Sequence, residues 1–219
     1  MSFHLENLGV DGSPYVGRGV IVETLGRSGV RVSELCDLLL GDIRLQEGWF
    51  RIRDAKTAAG VREVQMTPDL VERVGRHVAR IKAAGHPTGP EAYAFPNVRG
   101  GRMSRQRVGK IVAEAAAEAT KRIEQHGLPP LPTVTPHTLR RTYISIALLA
   151  NGFDVKWVMS QVSHADSKMT LDVYAQLEKR VERAHGTAFD ELLRNAKRKL
   201  DETAAIGTRL GHETGASGR

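Results

Sequence analysis

The chain has 219 residues, of which 41% are hydrophobic and only 5% aromatic, so it can bury one sizeable core built mainly from aliphatic side chains. It contains no run of 18 apolar residues and a single cysteine, Cys36, which argues against a transmembrane helix and excludes an internal disulfide. Its formal net charge is +7, and residues 51–110 alone hold 13 Lys and Arg against 5 Asp and Glu, a net +8, which favours a polyanionic partner such as nucleic acid or an anionic membrane surface.

The first predicted element is a short helix within "SGVRVSELCDLLLGDI". Ser33 is a favourable N-cap, and Leu35 and Leu38 lie on one apolar face after it. On this interpretation Arg31 lies in the loop just before the cap.

A small antiparallel sheet is predicted next. Three short segments rich in β-favouring residues are separated by Gln-Glu-Gly and Thr-Ala-Ala-Gly turns. These segments are 43–45, 49–53 and 61–66. The pattern places Lys56 at or beside the second turn.

Two longer helices follow the sheet. Thr67 is expected to cap the first, with Pro68 in its first turn. The second spans 104–126 and has Ser104 as its cap. The proline-rich stretch 127–136 cannot be helical, so it separates this pair from the helices that come after it.

Three further helices complete the predicted fold up to about residue 180. Thr135 caps the first of them, and Asn151-Gly152 ends it. Its apolar stripe is expected to consist of Leu139, Tyr143, Ile146 and Leu149. Asp154 caps the second helix, and Lys168 begins a third, amphipathic helix that carries Tyr174.

The stretch 99–110 contains five basic residues and no acidic residue. A solvated loop with ordinary surface charges is the plain interpretation, and a nucleic-acid contact is the functional one. The candidate DNA-binding residues are Arg99, Arg102, Arg105, Arg107 and Lys110.

A second group of polar residues lies at the start of the helix after Thr135. His137 and Arg140 are three residues apart in its first turn and therefore share a face, where free N–H groups and the helix dipole favour an anion. Considered alone, His137 could be a solvated cap residue and Arg140 a structural ion-pair partner. The sequence has no phosphate-binding loop, no zinc-ligand spacing and no nucleophile elbow, so we expect neither a metal nor a cofactor.

The order of the motifs is more specific than any one of them. "SGVRVSEL", a lysine in a predicted hairpin, "HTLRRT", "SH" and "TLDVY" follow one another over about residues 19–180. This order resembles the tyrosine recombinase (phage integrase) family, although Ser28 and Ser163 replace the family's usual threonine and glycine. The resemblance implies that family's catalytic-domain fold, mainly α-helical with a small antiparallel three-stranded β-sheet. It also implies a catalytic set of Arg31, Lys56, His137, Arg140, His164 and Tyr174.

The resemblance further implies cleavage and rejoining of DNA strands through a 3′-phosphotyrosine intermediate. Tyr174 would be the nucleophile, Arg31 and Arg140 would hold the phosphate, and Lys56 would protonate the leaving 5′ oxygen. His137 would assist proton transfer from Tyr174, and His164 would donate a hydrogen bond to the phosphate. Two alternatives remain open: a non-catalytic DNA-binding remnant of an integrase, and an enzyme resembling type IB topoisomerases.

The same resemblance sets the expected domain organisation. We expect a flexible N-terminal extension over 1–18, a catalytic domain over 19–184, and a C-terminal helix with a disordered tail over 185–219. The helical core-binding domain that usually precedes the catalytic domain is expected to be absent. The expected partners are double-stranded DNA, further copies of the chain (a tetramer in the family), and a separate core-binding domain or accessory protein. We expect no membrane partner, and a cytoplasmic, nucleoid-associated location.

Overall fold

A computed structural model describes residues 17–53, 61–162 and 167–182. The helices of these residues are α1 (Arg18–Ser28), α2 (Val32–Asp37), α3 (Pro68–Ala83), α4 (Arg105–Gln125), α5 (Pro136–Ala150), α6 (Val155–Val162) and α7 (Ser167–Glu182). The strands are β1 (Ile43–Arg44), β2 (Trp49–Ile52) and β3 (Arg62–Gln65). The chain divides into two compact units after Tyr174, and of the second unit only residues 175–182 are described.

The three strands form one antiparallel sheet in the order β1-β2-β3, which confirms the predicted sheet. Phe50 pairs with Val64, and both side chains are buried on the face that packs against the helices. Ile52 pairs with Arg62 at the end of the β2–β3 ladder, and the segment between these two residues contains Lys56. Because side chains alternate along a strand, Arg62 lies on the same face as Val64.

The predicted caps of three helices are confirmed. In each case the side-chain hydroxyl accepts a hydrogen bond from the backbone N–H three residues later, at 3.1–3.3 Å. These caps are Thr67 for α3, Ser104 for α4 and Thr135 for α5. Each cap satisfies an N–H group that the first helical turn would otherwise leave unpaired.

The predicted start of α2 was wrong. The helix begins at Val32 with Arg31 as its N-cap, so Ser33 is inside the first turn. The reason is that the Glu34 carboxylate accepts the backbone N–H of Arg31 at 2.7 Å, which fixes the turn ahead of Ser33. Helix α1 was not predicted, because the polar residues Glu23 and Thr24 interrupt its buried face.

The predicted apolar stripe of α5 was only partly right. Tyr143 is buried, but Ile146 and Leu149 are 58% and 54% exposed. Successive steps of three residues rotate around the helix by about 60° each, because a turn contains 3.6 residues. The stripe therefore drifts into solvent after Tyr143. The buried face comprises Arg140, Tyr143, Ile144, Ala147 and Leu148.

The main core is aliphatic, as the composition predicts. It is formed by side chains from α1, α2, the sheet, α3, α4 and the segment that connects α3 to α4. The largest of its fully buried members are Phe50, Phe95, Leu25, Leu35, Leu70, Met103 and Ile111. None of the helices in the described part of the chain is long and apolar enough to cross a membrane.

Candidate active site

The turn between α1 and α2 depends on Gly29. This residue ends α1 in the left-handed conformation, with φ of +63°. A Cβ atom at this position would lie 2.2 Å from Cδ1 of Tyr143, so the ring of Tyr143 packs directly on the turn. The carbonyl of Gly29 accepts a hydrogen bond from Nη1 of Arg140. The turn therefore brings the first arginine motif next to α5.

Arg31 and Glu34 form a compact unit at the start of α2. Nη1 of Arg31 lies 2.7 Å from Oε1 of Glu34, while the backbone N–H of Arg31 donates to Oε2 at 2.7 Å. The side chain of Glu34 is only 6% exposed, whereas that of Arg31 is 27% exposed. The Arg31 guanidinium is thus anchored by the carboxylate and still partly accessible from solvent.

Arg62 on β3 holds the same carboxylate from the other side. Its Nη1 and Nη2 donate to Oε1 and Oε2 of Glu34 at 3.0 and 2.8 Å, a bidentate pair. Burial acts to raise the pKa of Glu34, but the hydrogen bonds and charges of Arg62 and Arg31 outweigh it and lower that pKa below its ordinary value. Glu34 is therefore an ionised carboxylate shared by two arginines.

Arg140 is buried, with 3% of its surface exposed. Its Nη2 donates to the carbonyl of Val162, the last residue of α6, and its Nη1 donates to Gly29. Burial raises the pKa of the neighbouring Tyr143 to about 12, against the opposing effect of the Arg140 and Arg62 charges. Arg140 thus ties the turn before Arg31 to the end of α6.

The C-terminal end of α6 is held by two arginines at consecutive carbonyls. Nε of Arg62 donates to the carbonyl of Gln161 at 2.7 Å, next to the bond between Arg140 and Val162. The side chain of Gln161 also accepts the backbone N–H of Gln65 at 2.8 Å. Positive charge is favourable at this end of a helix dipole. The four residues after α6, which include His164, lie outside the described residues.

The remaining members of the predicted catalytic set are distributed as follows. His137 is exposed in the first turn of α5, about one turn before the buried Arg140. Tyr174 is half-buried on α7, and its ring meets that of Phe153 edge-on at 5.9 Å between centroids. Lys56 lies outside the described residues. The structure therefore joins Arg31 and Arg140 through the Gly29 turn, and it places Tyr174 against Phe153.

The basic stretch 99–110 lies on the surface and begins in a tight loop. Asn97 organises this loop, because its Oδ1 accepts the N–H groups of Arg99 and Gly101 at 2.9 and 3.1 Å. Arg99 and Arg105 are exposed. Arg102 is exposed as well, but it pairs with Asp37 of α2 through two hydrogen bonds, one of 2.8 Å from Nη2.

The two remaining basic residues lie within α4. Arg107 is half-buried, and Nζ of Lys110 lies 3.9 Å from Glu114. Among the described residues, no group of three His, Cys, Asp or Glu side chains could hold a metal ion.

Comparison with known families identifies the chain. The sequence profile described as the phage integrase family matches residues 13–180. This chain belongs to the phage integrase family. The match confirms the resemblance carried by the five motifs, and it spans all six residues of the predicted catalytic set.

Two relatives of the family illustrate the extent of the similarity. Tyrosine recombinase XerC of Thermodesulfovibrio yellowstonii is 33% identical over 161 residues, which cover 72% of this chain and 49% of the relative. Tyrosine recombinase XerD of Staphylococcus epidermidis is 26% identical over 169 residues, which cover 77% of this chain and 53% of the relative. The chain therefore spans about half the length of these relatives.

Solved structures of the family share the fold. The crystal structure of XerA recombinase superposes with a TM-score of 0.60 at 26% identity, covering 76% of this chain and 55% of that one. The Tn1549 transposon integrase in complex with transposon right end DNA gives a TM-score of 0.57 at 24% identity, covering 76% and 57%. These neighbours confirm the predicted fold, a mainly helical catalytic domain with a small antiparallel sheet.

Sequence reasoning missed Arg62 and Gln161, although one signal was present. In "VREVQM" the alternation of a strand places residues 62, 64 and 66 on one face, where Val64 and Met66 are buried. A charged residue at an inward position is a local conflict of the kind that marks functional or strained sites. The role of Gln161 depends on a contact between distant segments, and the sequence carries no local sign of it.

Proposed function

We propose that the chain is the catalytic domain of a tyrosine-type site-specific DNA recombinase or integrase. One observation carries the proposal: the family match contains Arg31 and Arg140, and the Gly29 turn brings the segments of these two residues together around Glu34 and Tyr143. Guanidinium groups suit a transition state that spreads negative charge over phosphate oxygens, because they are planar and permanently charged.

The two arginines would contribute differently. Arg31 is partly exposed, so its guanidinium can meet a DNA phosphate while Glu34 holds it in place. Arg140 is almost closed to solvent, and it also fixes the backbone at both sides of the site. A phosphate would thus approach from the Arg31 side.

The proposed reaction is a transesterification. The phenolic oxygen of Tyr174 forms a bond to phosphorus, and the bond from phosphorus to the 5′ oxygen breaks. His137 assists removal of the phenol proton, Lys56 supplies a proton to the leaving 5′ oxygen, and His164 donates a hydrogen bond to the phosphate. The 3′-phosphotyrosine product keeps the bond energy, so a 5′ hydroxyl from another strand can reverse the step without metal or nucleotide.

The proposed partner is double-stranded DNA, with further copies of the chain assembled on it. The exposed arginines of 99–110 suit a phosphate backbone. Solved neighbours support this partner, since XerH is described as bound to its difH substrate and the Tn1549 integrase as bound to DNA. A cytoplasmic, nucleoid-associated location and a separate core-binding or accessory protein belong to the same proposal.

A covalent trapping experiment tests the proposal. The full chain is incubated with nicked duplexes taken from the DNA that flanks its own gene, and the protein is examined on a denaturing gel for a DNA adduct. We expect an adduct with the unaltered chain and none with Tyr174→Phe. Tyr143→Phe is the matched control, because that tyrosine is buried on α5 and should leave the adduct intact.

The pattern of failure is also informative. Adduct formation by Tyr174→Phe would show that another residue is the nucleophile. Salt-sensitive DNA binding without an adduct on any duplex would identify the chain as a non-catalytic DNA-binding module instead.

A further inference from the structure

We infer that Arg62 is a positioning residue of the proposed phosphate site: it holds Glu34, and through Glu34 it holds the guanidinium of Arg31. This inference rests on the proposed function. Arg62 is not a member of the catalytic set that the family motifs supply. Its role follows from the bonds that it makes in this structure.

The carboxylate of Glu34 links the two arginines. Oε1 of Glu34 is shared by Nη1 of Arg62 and Nη1 of Arg31, at 3.0 and 2.7 Å. Oε2 is shared by Nη2 of Arg62 and the backbone N–H of Arg31, at 2.8 and 2.7 Å. The rigid fork of Arg62 therefore fixes the plane of the carboxylate, and the other lone pairs of that carboxylate are directed at Arg31.

Arg62 and Glu34 are more deeply buried than Arg31. The side chains of Arg62 and Glu34 are 7% and 6% exposed, so the pair is largely shielded from competing water. Arg31 is 27% exposed and lies at the accessible end of the same unit. This gradient separates the roles: Arg31 can touch a phosphate, and Arg62 acts on that phosphate only through Glu34.

Arg62 also contacts β2 and the end of α6. Arg62 pairs with Ile52 across the sheet. This is the last pair of the β2–β3 ladder, and the segment between its two residues carries Lys56. Its Nε also holds the carbonyl of Gln161, two residues before the Ser163–His164 segment. The side chain of Arg62 thus joins β3 to α2 and to the end of α6, three segments that belong to separate motifs of the family.

A second group of ion pairs, around Arg73, lies elsewhere in the molecule. Arg73 of α3 is 15% exposed and binds Glu23 and Asp69 at 3.3 and 3.1 Å. Its ion pairs with Glu23 and Asp69 join α1 and α3. Arg73 is therefore a control for the loss of a structural arginine.

The test measures covalent adduct formation in a single turnover, over a range of DNA concentrations, for the full chain and four variants: Arg62→Gln, Arg62→Lys, Arg73→Gln and Arg73→Lys. We expect Arg62→Gln to lower the rate at saturating DNA by about 10- to 100-fold, the scale known for residues that orient a metal ligand through a hydrogen bond, with little change in the DNA concentration for half-maximal rate. Arg62→Lys should fall between that variant and the unaltered chain, since an ammonium group cannot form the bidentate pair.

The Arg73 variants should lower thermal stability and leave the saturated rate of the folded protein within about threefold, since they leave the Glu34 unit intact. An equal loss of rate in Arg73→Gln and Arg62→Gln would overturn the inference, because it would make Arg62 a structural residue only. Failure of both Arg62 variants to fold would overturn it for the same reason.

A second readout needs no activity. The carboxyl carbon of Glu34 is titrated by NMR, and the groups that face it are Arg31 and Arg62. Loss of Arg62 should move the titration of Glu34 to higher pH, because the hydrogen bonds and charge of Arg62 lower the pKa of that carboxyl. An unchanged Glu34 titration in Arg62→Gln would overturn the inference. A shifted titration in a chain that forms no adduct on any duplex would refute the proposed function and leave only the hold of Arg62 on Glu34 standing.

Discussion

Two regions of the molecule are rich in arginine and use it in opposite ways. In the buried cluster formed by Arg62, Arg140 and Glu34, guanidinium groups are almost sealed from water and donate to a carboxylate and to backbone carbonyls. In the surface stretch 99–110, Arg99 and Arg105 are exposed. The same residue type therefore sets geometry in one region and supplies charge in the other.

The difference comes from solvent. A buried guanidinium must have its donors satisfied, because an unpaired charge in a low-dielectric interior is strongly unfavourable. Its partners are consequently fixed, and so is the backbone that carries them. An exposed guanidinium is hydrated and screened, so it can exchange water and counterions for phosphates at small cost.

The largest contrast is expected between Glu34→Ala and Asp37→Ala. Each substitution removes a carboxylate of α2 that pairs with an arginine from another part of the chain. Glu34→Ala leaves Arg62 charged and buried, whereas Arg102, the partner of Asp37, is 42% exposed. We expect the free energy of unfolding to fall by about 3–5 kcal/mol for Glu34→Ala and by at most about 1 kcal/mol for Asp37→Ala. Urea denaturation at pH 7 measures both, and equal losses would remove the distinction between the regions.

The next contrast concerns the turn at Gly29, whose carbonyl binds Arg140 of the buried cluster. Gly29→Ala introduces a Cβ atom 2.2 Å from Tyr143, at a φ of +63°. Gly85→Ala is the control, because Gly85 has a φ of +76° and nothing within 4 Å of the added Cβ atom. Both share the backbone cost of about 1–2 kcal/mol, and overpacking should cost Gly29→Ala about 1–3 kcal/mol more. The difference in melting temperature between the two variants measures the cost of the clash with Tyr143. Equal melting temperatures would contradict the close packing of Tyr143 on Gly29.

A third test uses the pH dependence of stability to distinguish Glu34 of the buried cluster from His77, which is buried elsewhere. Burial lowers the pKa of His77 below its ordinary value of 6.5, against the hydrogen bond to Ala94 that acts to raise it. The unfolded chain then binds the proton more readily, so the stabilising effect of neutral His77 is complete above about pH 6.5 and is lost as the pH falls toward the lower pKa of the folded state.

The stabilising effect of ionised Glu34 is also lost as the pH falls, but at lower pH, because the pKa of Glu34 in the folded state lies below an ordinary value of 4.5. We expect a decline of up to about 1.4 kcal/mol per pH unit from His77 below pH 6.5, and a separate decline from Glu34 below about pH 4.5. Urea denaturation as a function of pH measures both. His77→Phe should flatten the first decline and keep the ring stacked on Phe95; an unchanged profile would refute the assignment.

The smallest effects are expected in the surface stretch. If Arg99 and Arg105 contact DNA phosphates, replacing either by alanine should reduce the slope of log binding constant against log salt by about 1. Arg102→Ala should reduce it less, because Arg102 already pairs with Asp37. Binding titrations at several salt concentrations measure the three slopes, and a full unit lost in Arg102→Ala would place that residue among the phosphate contacts.

The sequence predicted those parts of the fold that depend on local chemistry. Thr67, Ser104 and Thr135 cap helices through hydrogen bonds that span three residues, and the strand pairing follows alternation and turns. The order of the motifs predicted the family. The roles of Arg31, Lys56, His137, Arg140, His164 and Tyr174 remain predictions, and two of these residues lie outside the described part of the chain.

The rest depends on contacts between segments that are distant in sequence. Helix α1 buries Glu23 and Thr24, so its periodicity does not reveal it. The inward arginine of β3 is partnered from α2 and α6, 28 and 99 residues away along the chain. Local propensity cannot report such pairs, because their stability comes from tertiary packing around a shared buried charge.

The bond between Gln161 and the backbone of β3 also shields one edge of the sheet. β3 is an edge strand, and an edge with unpaired N–H groups is a template for strand addition by another molecule. Gln161 and Arg62 cover that edge with α6, and the strand at the opposite edge, β1, is only two residues long. We therefore expect little pairing between copies of the chain through this sheet, even in a concentrated solution.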